Sequence, residues 1–415
     1  MEALLYLVHR IPYPPNKGDK LRSYHLLRCL ARHYRVYLGS FIDHPADRQY
    51  ADEVRAMCTD AYLPELHPRM AKLKSAAGLL SGQALTLPYY SDVGMRRWVE
   101  ETIRAQKINK AVVFSSAMAQ YVEGREDLRT IVDFVDVDSQ KWQHYAPRHV
   151  WPMSAVYSRE ADRLLAYERK IARETQASVF VTPEECALFN SLAPESVSKV
   201  HSARNGVDTS YFSPDHALPS PYVSDEEVVV FTGAMDYWPN IDAVTWFVES
   251  ILPSLRARRP QLRFYIVGMN PSPAVKALAA QAGVVVTGTV PDIRPYLRHA
   301  RVSVAPLRVA RGIQNKTLEA MAMETPVVAT TRVGEVLGAV PETEVLMAAD
   351  EREFGDAIEK LLSNPERAAR MGAAARTRVL NDYNWEKNLE VVHELLEGRT
   401  SSNLNHSALP AEAQA

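Results

Sequence analysis

The sequence predicts an α/β protein built from two doubly wound domains in tandem. Short apolar runs rich in Val, Ile and Phe alternate with longer segments of helical periodicity. Such runs are typical of strands buried on both faces of a parallel sheet, joined by helices. The chain has 415 residues, and a single domain usually takes about 100–200. Two domains are therefore expected.

Ten apolar runs mark the strands, five in each half. The runs of the first half are 3–8, 36–41, 111–114, 131–135 and 178–181, and those of the second are 228–232, 262–267, 284–287, 302–305 and 326–329. Between the halves, 208–226 is rich in proline and serine, which continue neither element type, so it is expected to be a linker. The predicted domains are thus 1–207 and 227–384. A helix over 385–397 and a small, polar, disordered tail over 398–415 follow.

Composition excludes several classes of function. Lys and Arg number 48 against 50 Asp and Glu, giving a formal net charge of −2, so no field for nucleic-acid binding is expected. The cysteines Cys29, Cys58 and Cys186 form no CxxC and have no nearby His pattern, which predicts neither disulfides nor a metal site. The first apolar run lacks a basic leader, and no uncharged stretch approaches the roughly 18 residues of a membrane span. A cytoplasmic protein is expected.

Two loops in the first half carry candidate functional residues. Loop 9–20 contains three prolines and Gly18 just before a predicted helix. Gly18 would let helix amides approach a phosphate or sugar, or the loop is an ordinary turn. Asp133, Asp136 and Asp138 follow a buried strand. Asp136 and Asp138 are the stronger candidates for orienting sugar hydroxyls or acting as a base, and helix capping is the alternative.

Two loops in the second half suggest phosphate binding. Gly233 follows the first strand of that half, and its turn either exposes helix amides to a diphosphate or serves only the backbone. Segment 306–329 runs from strand to loop to helix and places Lys316 and Glu319 on one helix face. A cation there can meet phosphate, and a carboxylate one turn later can accept ribose hydroxyls. A solvated ion pair is the alternative. No G-x-G-x-x-G follows the first strand, which counts against a nicotinamide cofactor.

Taken together, these motifs resemble those of retaining glycosyltransferases of the GT-B fold, family 4. The matching residues are Gly312, Glu319-Ala320-Met321-Ala322, Pro326-Val327-Val328-Ala329, Asn205-Gly206-Val207-Asp208, and Gly288-Thr289-Val290-Pro291-Asp292. The phrases Phe-Val-Asp-Val-Asp-Ser and Gly-Ile-Gln-Asn-Lys are most similar to sugar transferases associated with bacterial exosortase/PEP-CTERM systems and exopolysaccharide clusters. The resemblance covers residues 1 to about 395. It implies Rossmann-like domains facing a cleft and a C-terminal helix that crosses back.

The resemblance also implies roles for individual residues. Glu319 would hold the nucleotide ribose, and Gly18, Gly233 and Gly312 would lie beside the donor. Arg311 stands eight residues before Glu319, where the family has an acidic residue, and the family's usual Arg/Lys pair is missing from 233–240. Arg308, Arg311 and Lys316 would then supply the positive charge. Lys316 would stabilise the leaving phosphate without a metal, and no cofactor beyond the nucleotide-sugar is expected.

The acceptor is less visible in the sequence. Segment 66–80 places Arg69, Lys72 and Lys74 beside an apolar stripe, which suits either contact with an anionic membrane carrying a lipid-linked acceptor or packing on the sheet. A glycan acceptor and peripheral attachment to the inner membrane are expected. The rival interpretations are a nucleotide-sugar epimerase and a catalytically degenerate partner protein.

Overall fold

The computed structural model describes residues 1–15, 18–223, 226–310 and 312–399, and these form two units. Unit 1 comprises the described residues of Met1–Arg204 and those from Leu389 to position 399, and unit 2 comprises the described residues of Asn205–Asn388. The tail predicted over 398–415 lies outside the described residues from position 400 onward, as does Arg311. Among the described residues, no helix is both long and apolar enough to cross a bilayer.

Unit 1 contains a parallel sheet in the order β3-β2-β1-β4-β5-β6-β7. Its strands are β1 (Glu2–Val8), β2 (Tyr34–Ser40), β3 (Asp60–Tyr62), β4 (Lys110–Phe114), β5 (Arg129–Val135), β6 (Ala177–Phe180) and β7 (Val200–Ser202). Leu5 of β1 pairs with Tyr37 of β2 on one side and with Ala111 of β4 on the other. These central strands are apolar on both faces because helices cover both.

The helices of unit 1 follow the strands in β-α order. They are α1 (Gly18–His33), α2 (Ala51–Ala56), α3 (Pro68–Ser81), α4 (Thr86–Tyr89), α5 (Val93–Gln106), α6 (Asp138–Tyr145), α7 (Met153–Glu174) and α8 (Pro183–Leu192). Short 3₁₀ turns over Pro45–Tyr50, Ser116–Tyr121, Ala146–Arg148 and Pro194–Lys199 connect them.

Unit 2 contains a second parallel sheet in the order β10-β9-β8-β11-β12-β13. Its strands are β8 (Glu227–Thr232), β9 (Leu262–Val267), β10 (Val284–Gly288), β11 (Val302–Ala305), β12 (Val327–Thr330) and β13 (Leu346–Ala348). Its helices are α9 (Trp238–Trp246), α10 (Leu252–Arg258), α11 (Pro273–Ala277), α12 (Arg294–His299), α13 (Asn315–Ala322), α14 (Thr331–Val336), α15 (Glu351–Leu362) and α16 (Pro365–Asp382). A π-helical turn, Phe247–Ile251, joins α9 to α10, and Leu278–Ala280 is a 3₁₀ turn.

The expectation of two doubly wound α/β domains is confirmed, but five strands in each was too few. The described residues contain seven strands in unit 1 and six in unit 2. The additional strands β3, β7 and β13 have three residues each and form the edges of their sheets. An edge strand of three residues needs no continuous apolar run, so the pattern that reveals buried strands is missing there.

Each sheet has a point where neighbouring strands send their loops in opposite directions. In unit 1 this switch point lies between β1 and β4, and in unit 2 between β8 and β11. Ligands of such sheets bind at the carboxyl ends of the strands beside the switch point. A last helix, α17 (Trp385–Leu396), begins in unit 2 and ends in unit 1, as the expected crossing helix requires.

Candidate functional site

In unit 2, the ends of β8 and β9 approach each other closely at two glycines. Gly233 donates its amide hydrogen to Val267 O at 3.0 Å. A Cβ atom on Gly268 would lie 1.7 Å from Gly233 O, so only glycine allows this approach. A Cβ on Gly233 itself would lie 2.9 Å from Asn240 Nδ2 and 3.2 Å from Lys316 Nζ. A side chain at position 233 would therefore crowd the Asn240 amide and the Lys316 ammonium, and glycine lets both groups lie against the loop after β8.

Lys316 lies in the first turn of α13 and is held by the loop and helix that follow β8. Its Nζ donates to Asn240 Oδ1 and lies 4.4 Å from the centre of the Phe231 ring. Asn240, in the first turn of α9 and buried, donates from Nδ2 to Ala234 O at 2.8 Å. The ammonium group thus has a fixed position at the switch point of this sheet.

Burial shifts the pKa values of both Lys316 and Glu319. Burial lowers the pKa of Lys316 to about 7, although Glu319 opposes the shift. Burial raises the pKa of Glu319 to about 7, with Lys316 opposing. No described carboxylate forms a salt bridge with Lys316, whose hydrogen bond goes to the neutral Asn240. The solvated ion pair considered from the sequence does not form; both groups titrate near neutral pH in a partly dehydrated site.

Further polar atoms at the start of α13 lack protein partners. Asn315 Oδ1 and Thr317 Oγ1 are buried and, within the described part of the chain, make no hydrogen bond. Buried polar atoms in native proteins are normally paired, and an unpaired group points to water or a ligand. The start of α13 therefore combines free hydrogen-bonding capacity, a cation and the macrodipole of the helix.

The other donor-site candidates of unit 2 differ in their surroundings. Arg308, half-exposed, binds Asp242 of α9 through two hydrogen bonds of 3.1 and 2.5 Å, and its guanidinium lies 5.5 Å from the Trp246 ring. Its charge is therefore largely committed to Asp242. Gly312 has φ +60° and open space where a side chain would lie, and its carbonyl accepts from Gln314 Nε2 at 3.3 Å.

In unit 1, the candidate catalytic residues Asp136 and Asp138 both contact the side chain of Lys141. Lys141 Nζ lies 2.7 Å from Asp138 Oδ1 and 3.4 Å from Asp136 Oδ2. Burial would lower the pKa of Lys141, but Asp138 and Asp136 raise it. Val135, at the end of β5, has φ +69°, which is strained for a β-branched residue. Strain of this kind is often found at functional loops.

Two glutamates accept hydrogen bonds from the loop that carries Asp136 and Asp138. Glu185 of α8 accepts from Val137 N at 2.9 Å. Glu168 of α7, fully buried, accepts from Ser139 N at 3.2 Å and from Ser139 Oγ at 2.6 Å. Burial and the nearby Asp138 raise the pKa of Glu168 to about 8. These contacts fix the backbone that carries Asp136 and Asp138.

Asp133, the weakest of the three carboxylate candidates, is part of the core. It is fully buried and accepts a hydrogen bond of 2.8 Å from Arg22 Nε of α1. Burial raises the pKa of Asp133, and Arg22 opposes the shift. A residue enclosed in this way cannot touch a substrate, and its role is to join α1 to β5.

The structure also gathers residues that the sequence analysis did not single out. His9 Nε2 lies 3.4 Å from Asp19 Oδ2, and Arg10 binds both Asp19 and Asp43 at 2.7 Å. Burial would raise the pKa of Asp19, but His9 and Arg10 lower it well below its usual value. His9 stacks on Phe114, the last residue of β4, with ring centres 5.8 Å apart. The cluster therefore lies at the switch point of the first sheet.

The only sequence signal for this cluster is a group of charged residues in the first β-α loop. Gly18, the candidate in that loop, opens α1, and a Cβ there would meet nothing within 4 Å. Its small size is not required by packing among the described residues. The candidates thus form two groups, Gly233 with Lys316 in unit 2 and Asp136 with Asp138 in unit 1.

Comparison with known proteins finds matches for unit 2 and for the fold. Residues 226–364, within unit 2, match the family model Glycosyl transferases group 1. A GDP-mannose-dependent alpha-(1-6)-phosphatidylinositol monomannoside mannosyltransferase of Mycolicibacterium smegmatis is 29% identical over 256 residues, which cover 56% of this chain and 64% of that protein. An alpha-maltose-1-phosphate synthase of the same organism is 28% identical over 48% of this chain and 57% of its own. Both matches span less than two thirds of the relative's length.

Solved structures match over almost the whole chain. Sucrose-phosphate synthase of Thermosynechococcus elongatus superposes with a TM-score of 0.67 at 18% identity, covering 96% of this chain and 99% of its own. Anabaena HepE in complex with UDP gives a TM-score of 0.65 at 14% identity, covering 96% and 100%. The fold is therefore GT-B.

Proposed function

We propose that the protein is a glycosyltransferase that moves a sugar from a nucleotide-diphosphate donor to a glycan or lipid-linked acceptor, with retention of anomeric configuration. The observation that carries the proposal is the group Gly233, Asn240, Lys316 and Glu319 at the carboxyl edge of the second sheet. It offers a fixed ammonium, a free helix start and a carboxylate, each matched to one part of a nucleotide-diphosphate sugar.

The donor's diphosphate would lie between the loop after β8 and the start of α13. Lys316 Nζ would contact it, because that nitrogen lies beside Gly233, where a Cβ atom would come within 3.2 Å of it. Glu319, one turn further along, would accept the two ribose hydroxyls. When the glycosidic bond breaks, negative charge grows on the leaving phosphate, and Lys316 together with the helix dipole would stabilise it. These groups take the part that a divalent metal plays in other folds, so we propose a metal-independent transfer.

We place the acceptor on unit 1. Asp136 and Asp138 would orient acceptor hydroxyls, and the contacts of both with Lys141 Nζ hold the two carboxylates side by side. His9, oriented by Asp19, offers a second group able to take a proton from the acceptor hydroxyl. A lipid-linked acceptor is supported by the name of the first relative, which acts on a phosphatidylinositol mannoside. We assign the reaction to exopolysaccharide or cell-surface glycan synthesis, in association with a PEP-CTERM/exosortase system.

Peripheral attachment to the inner face of the plasma membrane fits the surface of α3. Met70, Leu73 and Leu79 are exposed there, with Met70 56% and Leu73 68% accessible. The exposed cations Arg69, Lys72 and Lys74 lie on the same helix. Apolar residues flanked by lysines suit an anionic lipid surface. Flotation with vesicles rich in phosphatidylglycerol should carry the wild type, and a Leu73→Glu variant should bind less; equal recovery of both would contradict the attachment.

An acceptor-dependence assay tests the activity itself. UDP-glucose, GDP-mannose and ADP-glucose would each be incubated with the full chain, with and without polyprenyl-diphosphate hexose or soluble polysaccharide. A transferase consumes one donor only when acceptor is present. Isomerisation without acceptor would identify an epimerase instead. Failure to consume or bind any of these donors would favour a degenerate partner protein.

A further inference from the structure

The connection between α6 and α7 carries an exposed apolar segment. Val150 and Trp151 are 85% and 80% exposed, and Met153, the first residue of α7, is also exposed. Single apolar side chains are common on protein surfaces, whereas a group of large ones marks a surface that binds something. Residues 150–153 are called the α6–α7 tip.

The tip is held in place by the start of α7 and by an aromatic cluster. Val150 O accepts a hydrogen bond of 3.2 Å from Ser154 N. The ring of His149, just before the tip, lies 5.0 Å from the ring of Tyr157 on α7, and the Trp142 ring of α6 lies 5.3 Å from the same tyrosine. These contacts support the backbone on both sides of the tip, while its largest side chains remain in solvent.

The chain around the tip is basic. Residues 142–159 include Arg148, Arg159, His144 and His149 but no Asp or Glu. Tryptophan is enriched where a bilayer meets water, because its ring is apolar and its N–H is polar. Nearby cations are attracted to anionic lipid head groups. The combination of charge and residue type therefore favours an anionic lipid surface as the partner of the tip.

The tip lies near the end of α3, the helix proposed to contact the membrane. Arg159 of α7 donates to Gly78 O at 2.9 Å and to Gln83 O at 3.2 Å. Met153 precedes Arg159 by six helical residues, a rise of about 9 Å. Leu79, next to Gly78, is exposed. Two exposed apolar segments thus lie in the same region of unit 1.

We propose that the α6–α7 tip inserts into the head-group region of an anionic phospholipid bilayer and sets the distance between that bilayer and the acceptor residues. The eight residues of α6 run from Asp138 to Tyr145, a rise of about 12 Å. Asp136 and Asp138 therefore lie at the end of α6 that is remote from the tip. A lipid-linked acceptor carries its sugar on phosphate groups outside the bilayer, where these carboxylates would meet it. The inference rests on the proposed membrane attachment and adds a second contact to it.

Quenching of tryptophan fluorescence by brominated lipid tests the insertion. The full chain would be mixed with vesicles of phosphatidylglycerol and dibrominated phosphatidylcholine. The wild type should bind and be quenched. Trp151→Phe stays apolar and should bind, but it should lose most of the quenching. Trp238→Phe, which removes a half-exposed tryptophan of unit 2, is the control and should be quenched like the wild type.

Flotation of the same vesicles measures how much the tip contributes to binding. Trp151→Asp should weaken binding about 10–100-fold, because it replaces a buried apolar group by a charge that anionic lipid repels. The exposed position of Trp151 means that this variant should fold normally. Val197→Asp, at an exposed valine elsewhere in unit 1, is the matched control and should bind as the wild type does.

Three results would overturn the proposal. Equal quenching of Trp151→Phe and the wild type, or equal vesicle binding by Trp151→Asp and the wild type, would exclude the tip and leave the contact of α3 intact. A wild type that binds no vesicle would exclude both contacts without affecting the transferase assignment, which soluble donor and acceptor test separately. A wild-type dimer that Trp151→Asp dissociates in light scattering would assign the tip to a second copy of this chain.

Discussion

Lys316 on α13 and Asn240 on α9 join the two helices that start at the switch point of the second sheet. Lys316 Nζ donates to Asn240 Oδ1, and Asn240 Nδ2 is in turn committed to Ala234 O at 2.8 Å. The amide therefore cannot turn away, and the ammonium is held in front of Gly233. This single contact fixes the charge on which the proposed donor chemistry depends.

Removing the charge of Lys316 should slow transfer strongly. Lys316→Met keeps the length of the side chain but leaves the departing phosphate without its cation, and loss of one such stabilising group costs about 10²–10³ in kcat. Steady-state rates with the preferred donor measure this. Lys276→Met, at an exposed position on α11, is the matched control and should retain wild-type rates. A Lys316→Met enzyme with an unchanged kcat would exclude Lys316 from the chemistry.

Nucleotide affinity plotted against pH should give a bell-shaped curve with its maximum near pH 7. The pKa values of Lys316 and Glu319 are both about 7 without ligand, and bound nucleotide needs the ammonium and the carboxylate together. Binding therefore takes up a proton on Lys316 above pH 7 and releases one from Glu319 below it. Affinity falls on both sides for this reason.

Variants assign the two limbs of the profile. Glu319→Gln should abolish the part of the decrease in nucleotide affinity below pH 7 that comes from protonation of the protein. Lys316→Arg, whose guanidinium stays protonated, should abolish the decrease in affinity above pH 7. Calorimetry in buffers of different ionisation enthalpy counts the protons directly. A wild-type profile that neither substitution alters would show that these two groups do not titrate on binding.

Substitution by alanine should destabilise the protein at Gly268 but not at Gly18. Gly268→Ala forces a Cβ to within 1.7 Å of Gly233 O and should lower the free energy of unfolding by at least about 3 kcal/mol. Gly18→Ala meets nothing within 4 Å and should change stability by less than about 0.5 kcal/mol. If a ligand lies beside Gly18, the same variant should nevertheless raise KM. Chemical denaturation and kinetics of both variants check this, and a Gly268→Ala protein of normal stability would refute the close approach.

Glu168 should make the protein less stable as pH rises. Its pKa is about 8 in the folded chain against an ordinary value of 4.5. The unfolded chain therefore loses this proton first, and stability from this group decreases between about pH 4.5 and 8. Glu168→Gln should become progressively more stable than the wild type over that range, by a few kcal/mol at most, since one pKa unit equals about 1.4 kcal/mol.

Glu174→Gln, at an exposed position on the same helix, is the control for Glu168 and should run parallel to the wild type. Urea denaturation at several pH values supplies the data. A constant difference between Glu168→Gln and the wild type from pH 5 to 8 would mean that Glu168 is ionised throughout.

Local patterns predicted much of the fold. Strands buried on both faces appear as apolar runs, and every predicted run coincides with a strand among β1, β2, β4–β6 and β8–β12. Lys316, Glu319 and Gly233 were identifiable because a β-α loop and its helix are continuous in sequence. The edge strands β3, β7 and β13 were missed because a segment of three residues is too short to show a hydrophobic pattern.

Contacts between distant segments could not be predicted in this way. No residue near Arg308 in the sequence indicates that its guanidinium forms a salt bridge with Asp242. The pairing of Lys316 with Asn240, and the meeting of His9 with Asp19 beside Phe114, depend on which strands are neighbours in the sheets.

Isothermal titration with UDP, GDP, ADP and inorganic pyrophosphate tests the central claim that unit 2 binds a nucleotide diphosphate at Lys316 and Glu319. One nucleotide should bind the wild type. Glu319→Ala should weaken that nucleotide about 10–100-fold, the worth of hydrogen bonds to a charged group, and leave pyrophosphate unaffected, whereas Lys316→Met should weaken both. No binding of any nucleotide by the wild type, or equal nucleotide binding by all three proteins, would contradict the account.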